Sequence, residues 1–369
     1  MERPLFKPMG TPAAQLDTPT LMVDLGALSH NIDTVHAFFD QRGIRLQPHV
    51  SAHRCPVIAR QQLSAKGTAG GISVTTLGEA EVFATHGFTD ILIDNKMVTP
   101  AKIRRLCALS RHATLTVAVD HLQNMQSLSE AAAANNTSLR IFVDVQTRAE
   151  PGDRTTSPSV IHLARAVCDA SNLEFVGIQS SLELGIGDDL TRAAATIQQR
   201  LQPLIDAQQQ LRQAGINVDV VSVNGLPSYA SVDDLPGVTD VSLGAYALMD
   251  ARHASLMPQL RQAAHVLTTV SSRPQLDTAI TDAGQKAIGI DLGLPVVDGI
   301  PGATAARLSA EHCAIQLDES AQGKVNLGDK VRLAPWDIST CVNLYDNIYA
   351  IRNGMLEAIW PVAARGQYR

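Results

Sequence analysis

A chain of 369 residues that is 45% hydrophobic lies in the ordinary globular range and has room for two domains. Its net charge of −6, without a basic tract, gives nucleic-acid binding no electrostatic support. No apolar run reaches the roughly 18–20 residues of a membrane span. The N-terminal stretch places Pro4 and Pro8 before any apolar run, which does not fit a signal peptide. The cysteines Cys55, Cys107, Cys168, Cys313 and Cys341 are scattered and odd in number, with no zinc-ribbon spacing. A reducing, cytoplasmic setting fits that usage.

In chain order, apolar runs of strand length alternate with helical patterns. Leu21–Leu25 reads as a strand and Ser29–Phe39 as a helix. Ile44–Gln47 leads to Pro56–Lys66, a helix with proline in its first turn. Ser73–Val74 precedes Leu77–His86, closed by Gly87. Ile91–Ile93 precedes Pro100–Leu109, where Thr99 suits an N-cap. The pattern repeats as Leu115–Val119 with His121–Ala134, Leu139–Val145 with Val160–Asp169, and Phe175–Ile178 with Leu190–Ala214. Val218–Val223 and Val241–Leu243 end the series. About eight β-then-α units predict parallel strands with helical crossovers. The expected closed form is a (β/α)₈ TIM-type barrel, with chemistry at the C-terminal ends of its strands. An open doubly wound sheet is the alternative, but no G-x-G-x-x-G follows the first strand.

Beyond Arg252 the texture changes to short alternating runs. They are His265–Val270, Lys286–Leu292, Cys313–Leu317, Lys330–Ala334 and Asn347–Ile351, punctuated by Gly and Asp. These predict a C-terminal antiparallel β-domain. The expected division is residues 28–252 for the barrel and 253–369 for the β-domain. Residues 1–27 form an N-terminal segment and strand that can pack with the β-domain.

Particular stretches resemble a known family. They are Thr18-Pro19-Thr20-Leu21-Met22-Val23-Asp24-Leu25, Leu46-Gln47-Pro48-His49, Asp94-Asn95, and Pro100-Ala101-Lys102-Ile103. The tail adds Gly328-Asp329-Lys330-Val331, Val342-Asn343-Leu344-Tyr345-Asp346 and Trp360-Pro361-Val362-Ala363-Ala364-Arg365-Gly366. The chain is similar over nearly its whole length to the D-threonine aldolase and D-serine dehydratase family, which shares the alanine-racemase-like barrel. The resemblance implies a homodimer in which the C-terminal domain of one subunit helps to close the barrel mouth of the other.

The same resemblance exposes departures. Relatives carry Pro-His-x-Lys-Thr-His-Lys, whose first lysine forms the Schiff base with pyridoxal phosphate. Here the stretch is Pro48-His49-Val50-Ser51-Ala52-His53-Arg54, and the Ser51 hydroxyl cannot form an imine. Lys66, Lys96 and Lys102 are too far along the chain to be one-residue register shifts, and only in three dimensions could one of them reach the site. The family's glycine-rich phosphate turn corresponds to Val223-Asn224-Gly225-Leu226-Pro227-Ser228, which keeps Gly225 but loses neighbouring glycines. Asn224, Gly225, Ser228 and Tyr246 are the remaining candidates there, with Gln179 nearby in sequence pattern and Ser181 in place of a tyrosine. The family's metal motif corresponds to Pro335-Trp336-Asp337-Ile338-Ser339, with His312 at a further family position.

Two readings follow. In the first, no pyridoxal Schiff base is expected. Asp337, Ser339 and His312 hold a divalent metal, with magnesium, manganese or calcium favoured over zinc by the oxygen ligands. The chain is then a metal-assisted lyase performing retro-aldol cleavage or dehydration of a small β-hydroxy acid. His49 or His53 serves as general base and Arg54 holds the carboxylate. Its partner is a small hydroxy or oxo acid. In the second, the barrel is a non-catalytic family member that binds a small anion or a partner protein. Neither reading involves nucleic acid or membrane.

Overall fold

The computed structural model describes residues 7–67, 70–145, 157–182, 192 and 196–369. The strands in chain order begin with β1 (Thr20–Asp24), β2 (Arg45–Pro48), β3 (Ile72–Val74), β4 (Asp90–Lys96) and β5 (Thr114–Val119). They continue with β6 (Leu139–Asp144), β7 (Leu173–Ser181), β8 (Val220–Asn224) and β9 (Asp240–Leu243). The helices are α1 (Leu25–Arg42), α2 (Pro56–Ser64), α3 (Leu77–Thr85), α4 (Pro100–Leu109), α5 (Leu122–Ala134), α6 (Ser157–Asp169), α7 (Ile197–Gln213) and the short α8 (Ile338–Val342). Of the predicted helix Leu190–Ala214, the stretch from 197 is described as α7, whereas Leu190 lies outside the described residues. The N-terminal stretch before Lys7, with Pro4, also lies outside them.

The chain divides into two compact units, of which one comprises Val35–Ser51, Ile58–Gly244 and Gly366–Arg369. This unit is the barrel. Its eight strands run in the order β2-β9-β8-β7-β6-β5-β4-β3, all parallel. A parallel bridge between His49 and Ser73 brings the two edge strands together, and Gln47 Nε2 donates to the Ile72 carbonyl at 3.2 Å. Local chemistry starts several helices where the sequence placed them. Thr99 accepts the Lys102 N–H ahead of Pro100 in α4, and Thr76 and Glu79 form a reciprocal capping box at α3.

Leu92, Phe142, Val176 and Val220 form one buried cluster although they lie on β4, β6, β7 and β8. Side chains from strands separated around a barrel meet only in its interior, so this cluster is an interior layer. With a period of two, the same inward columns continue to Asp94 on β4, Asp144 on β6 and Asn224 on β8. On β7 a register irregularity falls around Gly177, where an added Cβ would lie 2.0 Å from the Val220 carbonyl oxygen. The glycine lets the two strands approach, and the irregularity carries the inward column from Val176 to Gln179.

The other unit comprises Met1–Thr34, Ala52–Val57 and Ala245–Arg365. Its strands after β1 are β10 (Ala264–Gln275), β11 (Thr278–Thr281), β12 (Val296–Asp298), β13 (Ala303–Leu308), β14 (Cys313–Leu317), β15 (Lys330–Ala334), β16 (Asn347–Arg352) and β17 (Met355–Pro361). The main order is β13-β14-β11-β10-β1-β16-β17, with β15 pairing both β10 and β12. Pairing is antiparallel except between β1 and β16. Leu16, Met22, Leu267, Ile351 and Leu356 form a buried cluster on it.

The predicted strand Lys286–Leu292 does not form. The N–H groups of Ala287 and Ile288 both bond the Gly284 carbonyl, at 2.9 and 3.0 Å, and turn the chain. A Cβ at Gly284 would meet the backbone of Ala310 and His312 within 2.5 Å, so that close approach holds the turn. Among the described residues, no helix is long and apolar enough to cross a membrane.

Candidate active site

The inward columns of the barrel change character toward the C-terminal ends of the strands. Apolar Leu92 gives way to Asp94, Phe142 to Asp144, and Val220 to Ser222 and Asn224. At the mouth, His49 Nε2 lies 2.9 Å from Asp94 Oδ2, both side chains being mostly buried. Lys96, the last residue of β4, places Nζ in an ion pair with Asp144 Oδ2 and 3.9 Å from Asp120 Oδ2. Strand β5 separates β4 from β6, so this side chain crosses roughly 10 Å of the mouth. Burial pushes the Asp144 carboxyl above the usual carboxylate range, and the Lys96 ammonium pulls it part of the way back.

Buried polar atoms without partners cluster at neighbouring strand ends. Gln179 directs Nε2 toward Asp144 Oδ1 at 3.5 Å, but its Oε1 has no hydrogen-bond partner. Both amide atoms of Asn224 also lack one, in a residue only 3% exposed. Gly225 follows with φ +73°, and an added Cβ would lie 2.8 Å from the Leu182 carbonyl oxygen. Ser228 caps the next turn, its hydroxyl accepting from the Ala230 N–H at 3.4 Å.

Ser51 is buried but committed elsewhere. Its Oγ donates to Glu79 Oε2 at 2.7 Å and accepts from the Thr75 N–H at 3.0 Å. Glu79 Oε2 also accepts from the Thr75 and Thr76 N–H groups, at 3.2 and 3.1 Å. The serine therefore braces the start of α3.

The remaining predicted residues belong to the other unit, and the partners described for them lie there. His53 Nδ1 accepts from the Cys55 N–H at 3.1 Å. Arg54, at φ +52°, donates to the Ser339 carbonyl at 2.8 Å. Tyr246 is 2% exposed. Asp337 is the N-cap of α8, accepting the Thr340 N–H at 2.8 Å. His312 is exposed, and its backbone N–H donates to Ser309 Oγ at 3.2 Å.

Sequence reasoning assigned no role to Asp120, Asp144 or Glu79, named Lys96 only as one of three lysines that could reach the site in three dimensions, and quoted Asp94 only as a family match. A usable signal was present: charged residues end apolar strand runs on the inward parity, as in Leu92-Ile93-Asp94-Asn95-Lys96 and Phe142-Val143-Asp144.

A parallel barrel with helical crossovers, a separate sheet unit and ionisable groups at the C-terminal ends of the strands define the alanine-racemase-like class of barrel enzymes. Comparison with known proteins agrees. The family described as "Alanine racemase, N-terminal domain" matches residues 23–251, and a "Putative serine dehydratase domain" matches residues 263–351. The chain is 32% identical to a 3-hydroxy-D-aspartate aldolase of Paracoccus denitrificans (strain Pd 1222), covering 97% of this chain and 94% of that one. It is also 32% identical to a D-threonine aldolase of an Arthrobacter species, covering 97% and 95%. A crystal structure of D-threonine aldolase from Filomicrobium marinum superposes with a TM-score of 0.90 at 31% identity, each chain covered in full. The chain belongs to the D-threonine aldolase-like family, and it is an enzyme of the lyase class.

Family membership corrects the cofactor expectations. A member of a pyridoxal phosphate family gives no ground for a pyridoxal-free site, nor for a divalent metal in the cofactor's stead. The expectation took position 51 as the place for the amine, whereas the fold brings Lys96 to the mouth from β4. The proposed ligands Asp337, Ser339 and His312 have the ordinary backbone and capping roles given above. Among the described residues, no group of three or more His, Cys, Asp or Glu side chains could hold a metal ion. The residues present fit pyridoxal phosphate in kind. An amine stands beside a buried carboxylate, the Asn224 amide and Gln179 Oε1 lack partners, and Gly225 holds a turn closed to larger residues. Lys96, Gln179, Asn224 and Gly225 would hold it.

Proposed function

We propose that the chain cleaves a small β-hydroxy amino acid of D configuration by retro-aldol chemistry. The observation that carries this reading is the pairing of His49 with Asp94 at the mouth that also holds the Lys96–Asp144 ion pair. The identities to two aldolases that span almost the whole chain support the substrate class. Asp94 orients the His49 imidazole, which takes the proton from the substrate's β-hydroxyl as the Cα–Cβ bond breaks. The aldehyde leaves from Cβ. Pyridoxal phosphate, when bound, supplies the electron sink for the charge left at Cα. Asp144 and Asp120 keep positive charge at the Lys96 position, and the buried Asn224 and Gln179 side chains offer polar atoms to a polar occupant. The same proposal includes a homodimer, which light scattering at micromolar concentration checks.

The test is incubation of the purified chain, with pyridoxal phosphate, on D-3-hydroxyaspartate and D-threonine. Glycine with glyoxylate or acetaldehyde is the expected product pair. Oxaloacetate with ammonia from hydroxyaspartate would replace aldol cleavage by dehydration, and no turnover of either acid would remove the substrate class.

A further inference from the structure

We infer that Lys96, at the end of β4, is the amine through which this chain bonds the aldehyde of pyridoxal phosphate. The inference rests on the lyase reading and adds the attachment site that the sequence lacks at position 51. The barrel unit contains three lysines, Lys66, Lys96 and Lys102. Lys66 lies between α2 and β3, at the N-terminal rim of the strands. Lys102 sits in the first turn of α4, outside the strands. Lys96 alone of the three ends a strand, and its side chain crosses β5 to reach Asp144. It is 30% exposed, so its amine can be reached by a ligand while Asp144, at 8%, stays buried beneath it.

The charge arrangement suits the bond. The ammonium gives up protons as Nζ attacks the aldehyde carbon. A C=N bond forms, the C=O bond breaks, and its oxygen leaves as water, with no electron transferred. Protonated at nitrogen, the product carries the same single positive charge that Asp144 already faces, so the buried carboxylate keeps its partner. The Ser51 hydroxyl, bonded to Glu79 and the Thr75 N–H, does not compete. A second observation points to an occupant: the Asn224 amide and Gln179 Oε1 are buried and unpartnered at the ends of β8 and β7. Buried amides of that kind ordinarily have a partner, and a polar ligand in the mouth supplies one.

The experiment is borohydride reduction of the full chain after incubation with pyridoxal phosphate, followed by peptide mapping by mass spectrometry. A stoichiometric phosphopyridoxyl group on the Lys96 peptide is expected. Lys96→Arg, which keeps the charge beside Asp144, should lose both that label and the imine absorption band while eluting like the wild type in gel filtration. Asp144→Asn should keep the label but shift the band, because the imine loses the anion that holds its proton. No label in the wild-type chain, a label on another lysine, or an unchanged label map in Lys96→Arg would each overturn the inference. The wild-type map stands even if a variant fails to fold. Turnover without a Lys96 label overturns the attachment site and leaves the lyase reading intact. A Lys96 label without turnover does the reverse.

Discussion

The two ends of the barrel carry similar charges in different surroundings. At the N-terminal ends of the strands, Arg45 pairs with Asp240 across adjacent β2 and β9 at 2.9 Å. There too, Arg140 lies 3.8 Å from Asp90 and 3.6 Å from Glu174. Arg140 on β6 reaches past β5 to Asp90 on β4, as Lys96 does at the other end, but its partners Asp90 and Glu174 stay exposed at 39% and 62%. At the C-terminal ends Lys96 reaches across a strand to a carboxylate that is 8% exposed, and buried amide groups beside it lack partners. Surface pairs contribute little to stability, and buried unpaired polar groups subtract from it. The first end is arranged for the fold. The second is arranged at the fold's expense, which is what a reaction site requires.

Substitutions at the two ends should therefore separate activity from stability. The largest effect is expected at His49→Gln, with kcat falling about 100- to 10,000-fold and the unfolding midpoint little changed. An unchanged kcat would remove His49 as the base. Lys96→Met leaves a buried carboxylate alone and should cost about 3 kcal/mol at neutral pH. Its pH dependence carries a sign. The Asp144 carboxyl is already held above the ordinary range by burial, and losing the ammonium lets it rise further. A carboxyl raised on folding contributes stability below its unfolded pKa and loses that contribution as pH rises through the folded value. The deficit relative to wild type should grow from acid to neutral pH in urea melts. A deficit independent of pH would show that the ion pair is not its source.

Gly225→Ala tests the turn at the mouth. Its positive φ and the 2.8 Å approach to the Leu182 carbonyl predict a loss of about 1–3 kcal/mol by denaturant midpoint. The smallest effect belongs to the opposite end. Arg140→Met should change stability by less than about 1 kcal/mol and leave kcat and KM at wild-type values. A large loss of activity there would break the distinction between the two ends.

The fold was legible because its signals are local and repeated. Thr99 before Pro100, and Thr76 three residues before Glu79, mark helix starts without any tertiary information. The Lys286–Leu292 run misled because a turn around Gly284 can bury Ile288 as well as a strand can. The mouth was only half legible. His49 follows a strand end directly and could be read from its motif. Lys96 lies 45 residues beyond Ser51 and reaches the mouth because two strands later the chain supplies Asp144. Linear spacing has no term for a side chain that reaches past a neighbouring strand. His53, Arg54 and Asp337 stood out by alignment to a motif, and the partners described for them are backbone groups.

The hydroxyl of Ser51 makes the missing lysine hard to restore. Any side chain placed at 51 inherits a buried carboxylate, Glu79, and a helix start that leans on it. A lysine there would meet that anion first and be drawn toward α3, so one reverse substitution would recover a charge without recovering its direction. Directing an amine from position 51 into the mouth needs coordinated changes at 51 and 79, and a change at 79 alone weakens the cap of α3.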